Sequence, residues 1–201
     1  MADKDAKEPE QHRARETRAG LVAAVERLAA RLNGESLPSS SEIAAEAGVA
    51  VGTLYRYFKN ADDLMLEAFD DAHERVNGCW FQGLPELKGK SSRVRAKAFL
   101  KTYRVCAEQE PAYVHLLKLA RQIRSVSEEM ALNVDTPESH QAFAALFDIK
   151  PTPTNLSTIR LLKFTTQQLM NVYFVADEAD RVAIGKEIEA YTEQALDRLG
   201  G

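Results

Sequence analysis

Residues 53–59 bring together five side chains that are able to bind a nucleic acid. They are Thr53, Tyr55, Arg56, Tyr57 and Lys59. Hydroxyls and lysines donate hydrogen bonds to phosphates, Arg56 can donate two to a guanine, and Thr53 can contact a base edge or a thymine methyl. The alternative for Tyr55 and Tyr57 is packing against neighbouring helices, which is the role we expect for Phe58.

These side chains bind DNA only if the backbone holds them in a fixed arrangement. Residues 38–58 have the pattern of two short helices around a turn. Ser39-x-x-Glu42 forms a capping box that starts the first helix, and Gly48 suits a tight turn. A small residue is needed where the helices cross, and apolar residues must hold both down. These positions are filled by Ala44 and by Ile43, Val49 and Leu54. The segment is therefore predicted to be a helix-turn-helix.

The rest of the chain predicts helices, with no strand pattern. One helix runs from about Arg13 to Leu32 and stops at Asn33-Gly34, and Asn60 caps a fourth after the helix-turn-helix. Residues 1–12, almost without aliphatic side chains, are expected to be a flexible tail. Further helices are predicted over Ser92–Glu110, Pro111 to about Leu132, Pro137–Asp148, Thr154 to about Val175, and Glu178–Leu199. The predicted fold class is all-α.

Charge is distributed unevenly along the 201 residues. The net charge of −4 argues against a protein that coats nucleic acid indiscriminately. Residues 13–60, however, hold seven bases and five acids, whereas residues 61–201 hold 17 bases and 21 acids. The N-terminal segment thus has the sign that a small DNA-binding module needs.

Several other classes of protein are disfavoured. Cys79 and Cys106, the only cysteines, form no CxxC pair and lie near no histidines with metal-ligand spacing, so we expect neither a disulfide nor a metal site. No phosphate loop, HExxH or GxSxG motif is present, which argues against an enzyme and gives no reason to expect a cofactor. The chain has no apolar run long enough to cross a membrane and no signal peptide, so a cytoplasmic location is expected.

The stretch EIAAEAGVAVGTLYRYFKNADDLMLEAF resembles the signature of the TetR family of transcriptional regulators. The resemblance covers about residues 13–70, and the family fold is an N-terminal three-helix DNA-binding domain followed by a helical ligand-binding and dimerisation domain. It implies that Ser40 and Tyr55 hold phosphates and that Thr53 and Arg56 sit at base edges. Tyr57 and Lys59 would then fix the DNA backbone.

The correspondence departs from the family at three positions. Ala50 and Val51 stand where relatives often have polar residues, and Ala61 stands where a lysine commonly meets phosphate. Without these contacts the operator cannot be inferred from relatives. Arg13, Arg15 and Arg18 either add DNA affinity or form a solvated charged face.

The domains expected from this reading are the tail at 1–12, a helix-turn-helix domain at 13–60, and an effector-binding and dimerisation domain at 61–201. One helix-turn-helix reads only a few base pairs, so a homodimer on a palindromic double-stranded DNA operator is expected. Both of the last two helices carry apolar surface, and the family pairs these helices across its two-fold axis. The predicted interface comprises Leu161, Phe164, Leu169, Tyr173, Ile188, Tyr191 and Ala195.

Aromatic residues of the middle helices either fill a core or line a pocket for a small, largely apolar effector. The candidate pocket residues are Trp80, Tyr103, His115, Phe143, Phe164, Gln168 and Asn171. In the family, ligand binding shifts helix four and separates the two recognition helices, which implies a repressor released by its effector. Activation, or a helix-turn-helix protein acting through a protein partner without ligand control, remains the alternative.

Overall fold

The structure, a computed structural model, describes residues 7–125, 127–128 and 137–200. Within these ranges the chain forms nine helices and no strand, which confirms the all-α fold class. The helices are α1 (Lys7–Arg31), α2 (Ser40–Glu46), α3 (Val51–Tyr57), α4 (Ala61–Gly83), α5 (Ser92–Gln109), α6 (Tyr113–Ile123), α7 (Pro137–Leu146), α8 (Pro153–Val175) and α9 (Glu178–Gly200).

Local sequence signals set most helix ends. After α1, Asn33 and Gly34 adopt φ of 52° and 67°, and the Gly34 amide bonds to the Ala29 carbonyl at 3.0 Å. This left-handed turn satisfies carbonyls that the last helical turn leaves open. Before α4, the Asn60 side chain accepts a hydrogen bond from the Asp63 amide at 2.7 Å. The predicted stop and the predicted cap are both confirmed.

Two helix ends differ from the prediction. α1 begins at Lys7, so residues 7–12 are helical rather than part of a tail, while residues 1–6 lie outside the described residues. Pro9 falls in the first turn of the helix, where its missing amide costs no hydrogen bond.

The helix predicted from Pro111 to about Leu132 is also shorter, since α6 ends at Ile123 and Arg124 is extended. Ser125 and Glu128 then make the reciprocal hydrogen bonds of a capping box, at 2.8 Å and 3.3 Å, which marks a new helical start. Residues 126 and 129–136 lie outside the described residues.

The chain divides into two compact units, and the division does not fall at residue 60. The first unit holds residues 1–75 and 110–124. Leu64 and Ala68 of α4 are fully buried, and α6 comes so close to the α1–α2 turn that a Cβ on Gly34 would lie 2.4 Å from the His115 carbonyl oxygen. Residues 61–75 of α4 and all of α6 therefore belong with the helix-turn-helix.

The second unit holds residues 76–109 and 125–201. Its centre is aromatic: the Trp80 ring meets the edge of Phe99 at 4.6 Å between centroids, and Phe143 packs against Phe147 at 4.4 Å. The Trp80 indole N–H donates to the Phe99 carbonyl at 3.1 Å, so its one polar group is satisfied. Among the described residues, no helix has the length and hydropathy needed to cross a membrane.

Candidate functional sites

The helix-turn-helix is built by its own local hydrogen bonds. The Ser39 amide donates to Glu42 Oε2 at 2.8 Å and the Glu42 amide donates to Ser39 Oγ at 3.3 Å, which confirms the predicted capping box. The hydrogen bond from the Ser39 hydroxyl is the main reason that the pKa of Glu42 is lowered. Gly48 turns the chain at φ 69°, where a side chain would be strained.

One side of α3 is fixed in the core and the other faces solvent. Leu54 and Phe58 are buried, and so are Ile43 and Ala44 of α2. Val49 is only half-buried. Because two anchors one turn apart fix the rotation of a helix, the residues between them present a defined outer surface.

The six predicted DNA-binding residues lie on or beside this outer surface. Tyr55, Arg56 and Lys59 are exposed, whereas Ser40, Thr53 and Tyr57 are half-buried. The Arg56 guanidinium lies 5.9 Å from the centre of the Tyr57 ring, which is within the range of a cation–π contact. The surface therefore offers donors and aromatic rings together.

Ser40 and Tyr55 join the two helices of the motif at the surface. Their hydroxyl groups are 3.0 Å apart and share a hydrogen bond, although Tyr55 is 54% exposed. Each hydroxyl has one proton, so the hydroxyl that accepts this bond keeps its own proton to donate to an incoming phosphate oxygen. The pairing of the two residues was not foreseen from the sequence.

Three arginines that raise the charge of the N-terminal segment are already engaged. Arg27 and Arg31 donate to Glu46 at 2.7 Å and 3.0 Å, which holds α1 on the end of α2. These hydrogen bonds, that from Arg27 first, lower the pKa of Glu46. Arg18 pairs with Glu67 and lies 4.9 Å from the centre of the Phe58 ring.

Arg18 thus differs from the other arginines near the start of α1, because its charge supports the fold of the motif. Arg13 and Arg15 are exposed and form no ion pair with the part of the chain that the structure describes. Despite Arg18, the pKa of Glu67 is raised, because partial burial outweighs the attraction of the guanidinium.

The second unit contains a polar cluster inside its apolar core. Gln167 Nε2 donates to the Tyr103 hydroxyl at 2.9 Å and to Asn171 Oδ1 at 3.4 Å. Tyr103 and Asn171 are 4% and 5% exposed, yet Asn171 Nδ2 has no hydrogen-bond partner among the described residues. A buried amide donor without a partner is costly, and a ligand carrying an acceptor would satisfy it.

The seven predicted pocket residues do not form one group. Trp80, Tyr103, Phe143 and Asn171 are buried in the second unit, and Phe164 and Gln168 of the same unit are half-buried. His115 belongs instead to the first unit, where its carbonyl faces Gly34. Gln167, which is not one of the seven, links Tyr103 to Asn171.

An open groove of the second unit lies among α5, α8 and α9, and none of the seven predicted pocket residues lines it. Met170 and Tyr173 of α8 line the groove. Its lining also carries the basic residues Lys97, Lys101, Arg104, Arg181 and Lys186. One donor of Arg181, its Nε, is already used in a hydrogen bond to the Ala176 carbonyl at 3.0 Å.

The last two helices expose apolar side chains. Leu161 and Val172 of α8 are 62% and 51% exposed, and Val182 of α9 is 67% exposed. Of the predicted interface residues, Leu161 and Tyr191 are exposed and Ile188 is buried. The half-buried ones are Phe164, Leu169, Tyr173 and Ala195.

The cysteines overturn one expectation. Cys79 of α4 and Cys106 of α5 form a disulfide with their Cα atoms 5.8 Å apart. The prediction of no disulfide was wrong because two cysteines 27 positions apart carry no local signal, and only the packing of α4 on α5 brings them together. Among the described residues, no three His, Cys, Asp or Glu side chains are grouped to hold a metal ion.

Comparison with known proteins places the motif in a family. Residues 38–68 match the family described as bacterial regulatory proteins, tetR family. A TetR transcriptional regulator from Rhodococcus sp. RHA1 has a similar structure, with a TM-score of 0.57, 23% identity, and coverage of 94% of this chain and 97% of that chain. A TetR family transcription regulator from Marinobacter aquaeolei VT8 gives a TM-score of 0.42 and 19% identity, and covers 93% of this chain and 97% of that one.

A search of curated proteins found no match. The family match covers residues 38–68, which contain the helix-turn-helix, and the Rhodococcus structure has a similar fold over nearly the whole chain. What the comparisons show is a match of this segment to the tetR family and a fold shared with the Rhodococcus regulator.

Proposed function

We propose that the protein is a transcriptional repressor that binds a near-palindromic DNA operator as a homodimer and leaves it when a small, largely apolar effector binds. The observation that carries DNA binding is the division of α3. Leu54 and Phe58 are buried while Tyr55, Arg56 and Lys59 are exposed. A helix held in this way can enter a major groove without rearranging.

Each of the six predicted DNA-binding residues has a role that its chemistry supports. Arg56 reads a guanine, since its guanidinium can donate to O6 and N7 together, and Thr53 contacts a neighbouring base edge. Tyr55 and Ser40 bind phosphate through their hydroxyls, and Tyr57 and Lys59 bind the backbone nearby. Exposed Ala50 and Val51 add apolar contacts only.

Dimerisation is proposed through α8 and α9. Leu161, Val172 and Val182 expose more than half of their surface. Apolar side chains at this density on two neighbouring helices are typical of a surface that a partner covers. A second copy would place a second α3 on the next turn of the operator, as palindromic recognition requires.

The effector is proposed to bind at the polar cluster of Tyr103, Gln167 and Asn171. The unpartnered Asn171 Nδ2 supplies a donor, and the surrounding aromatic core supplies apolar contact. The ring centroids of Tyr103 and of Trp80 in α4 are 6.3 Å apart. A ligand at the cluster would therefore act on α4, which also carries Leu64 and Ala68, two buried residues of the first unit. Release follows if the ligand favours a position of α4 that cannot serve both half-sites.

The test of DNA binding is selection from a random duplex library with the purified protein, followed by titration of the enriched sequence at two salt concentrations. We expect a palindromic site and affinity that falls steeply with salt, because bound phosphates release counterions. Enrichment of no sequence would contradict the proposed function and favour a protein partner.

The test of the interface is Leu161→Glu, which places a carboxylate on the proposed dimer surface. Sedimentation at micromolar concentration should give a monomer, and operator affinity should fall with it. Val94→Glu is the matched control, because Val94 is 49% exposed and belongs to α5, which is not one of the two proposed interface helices. A Leu161→Glu protein that stays dimeric would rule out α8 as the interface.

A further inference from the structure

The disulfide joins the end of α4 to the end of α5. Cys79 lies one turn before the last residue of α4, and Cys106 lies one turn before the last residue of α5. Trp80 follows Cys79 directly and makes its own contacts with Phe99 of α5, by ring packing and by the indole hydrogen bond. The covalent link thus reinforces a contact that already exists between the two helices.

The two sulfur atoms differ in access. Cys106 is 4% exposed, whereas Cys79 is half-buried and lies 3.6 Å from the side-chain oxygen of Gln109. A small thiolate can therefore approach the Cys79 sulfur, with the buried Cys106 sulfur as the leaving group. Disulfides that remain accessible are the ones that exchange with thiols in solution.

The helix that carries Cys79 runs through both compact units. Residues 61–75 of α4 belong to the unit of the helix-turn-helix, and residues 76–83 belong to the other. Ala68 and Ala72 are buried in the earlier part, and Val76 and Trp80 in the later part. A crosslink at Cys79 restricts the later part of this helix, which the effector must move if the proposed function is correct.

We propose that Cys79 and Cys106 form a thiol–disulfide switch that sets the affinity for DNA, an inference that rests on the proposed function. In reduction, a low-molecular-weight thiolate attacks Cys79 Sγ, the Cys79–Cys106 bond breaks, and the Cys106 thiolate takes up a proton. A second thiolate attacks the outer sulfur of the mixed disulfide. This step releases Cys79 as a thiolate, which is then protonated, and yields one low-molecular-weight disulfide. Oxidation by such a disulfide runs the same steps in reverse.

The expected effect has a defined direction. The bonded form holds α4 in the conformation described above, while the reduced form lets residues 76–83 sample others. If only the held conformation fits the operator, the measured Kd rises in proportion as its population falls. Reduction should therefore weaken operator binding, by about threefold or more if the competent fraction falls below a third.

The experiment compares the full-length protein equilibrated with oxidised or with reduced glutathione. Thiol labelling and mass spectrometry measure the disulfide, fluorescence anisotropy with the selected operator measures Kd, and hydrogen exchange measures the amides of residues 76–83. We expect a lower Kd and slower exchange in the oxidised form. Cys79→Ser should give the reduced-form values under both conditions, and Cys106→Ala should do the same.

Three results would overturn the switch: no disulfide under oxidising conditions, equal exchange of residues 76–83 in the two forms, or an equal operator Kd with the disulfide present in one form and absent in the other. Failure of the proposed function gives a different result, namely no operator binding in either redox state. In that case the exchange rates of residues 76–83 still decide whether the disulfide controls α4.

Discussion

Ion pairs join the helices within the first unit, and the larger group of packed aromatic rings lies within the second. In the first, charged side chains join the helices: Arg75 binds both Glu26 and Glu110, and Arg124 binds Asp70 through two hydrogen bonds of 2.9 Å. The hydrogen bond to Glu110 is the main reason that the pKa of Arg75 is raised. In the second unit, aromatic rings pack around Trp80 and Phe99.

The difference follows the work that each unit is proposed to do. Directional ion pairs fix the backbone and leave the outer face of α3 free to bind DNA. Aromatic packing around the buried cluster of Tyr103, Gln167 and Asn171 leaves Asn171 Nδ2 without a hydrogen-bond partner in the part of the core that the structure describes. The first unit presents an outer face that can bind DNA, whereas the second has a polar cluster inside an aromatic core.

The strongest test of this contrast is Phe143→Ala in the second unit. Phe143 is 1% exposed and packs on Phe147, so truncation should lower the free energy of unfolding by about 3–5 kcal/mol. Phe81→Ala is the control, because Phe81 is 47% exposed and should lose about 1 kcal/mol of contact with Trp80. Urea unfolding that gives Phe143→Ala near wild-type stability would mean that Phe143 lines a cavity rather than filling the core.

The next test concerns the backbone of the first unit, with Gly34→Ala and Gly48→Ala as a matched pair. Both glycines have φ near 70°, where alanine costs about 1–3 kcal/mol. A Cβ on Gly34 would also lie 2.4 Å from the His115 oxygen, whereas a Cβ on Gly48 meets nothing within 4 Å. Gly34→Ala should therefore be the less stable variant in thermal unfolding, and equal stabilities would argue against the close approach of α6.

At the DNA surface, Arg56→Ala should reduce discrimination among bases by about 1–3 kcal/mol. Competition with operators substituted at each base pair would measure this effect. Tyr55→Phe should instead weaken binding to every sequence alike, since a phosphate contact carries no base preference. Arg198→Ala, which removes an exposed arginine from α9, is the control for loss of charge. Unchanged selectivity in Arg56→Ala would remove Arg56 from base recognition.

The smallest expected effect is that of Ser39→Ala, which removes the cap of α2. The free energy of unfolding should fall by about 1 kcal/mol at neutral pH. The pKa of Glu42 is lowered in the folded protein. The contribution of Glu42 to stability is therefore present above the ordinary glutamate pKa and is lost as the pH falls through the lowered pKa of the folded state. The difference between wild type and variant should shrink in acid.

Ser41→Ala supplies the control for Ser39→Ala, because Ser41 is exposed in the same turn. It should leave stability close to that of the wild type at every pH. If the difference in the free energy of unfolding between Ser39→Ala and wild type does not change with pH, ionisation of Glu42 does not contribute to the stability that the cap provides.

Local features of the molecule were predictable from the sequence, because each depends on residues a few positions apart. The Ser39 box, the Asn60 cap and the turn at Gly48 are of this kind. The second capping box, Ser125-x-x-Glu128, has the same signature, and it explains why the helix predicted from Pro111 ends earlier than about Leu132.

Features that join distant helices were not predictable in this way. The disulfide, the pairing of Arg27 with Glu46 and the inclusion of α6 in the first unit all depend on tertiary packing. Periodicity identifies the buried face of a helix but not the helix that covers it. The same reason leaves the pocket and interface residues as predictions.

The hydroxyl pair of Ser40 and Tyr55 has a consequence for the entropy of association. An exposed tyrosine samples several rotamers, and fixing them when DNA binds would lower the affinity. Here the hydrogen bond of 3.0 Å already restricts both side chains in the unbound protein. An arriving phosphate needs only to redirect a proton, so most of the ordering of this contact takes place during folding rather than during binding.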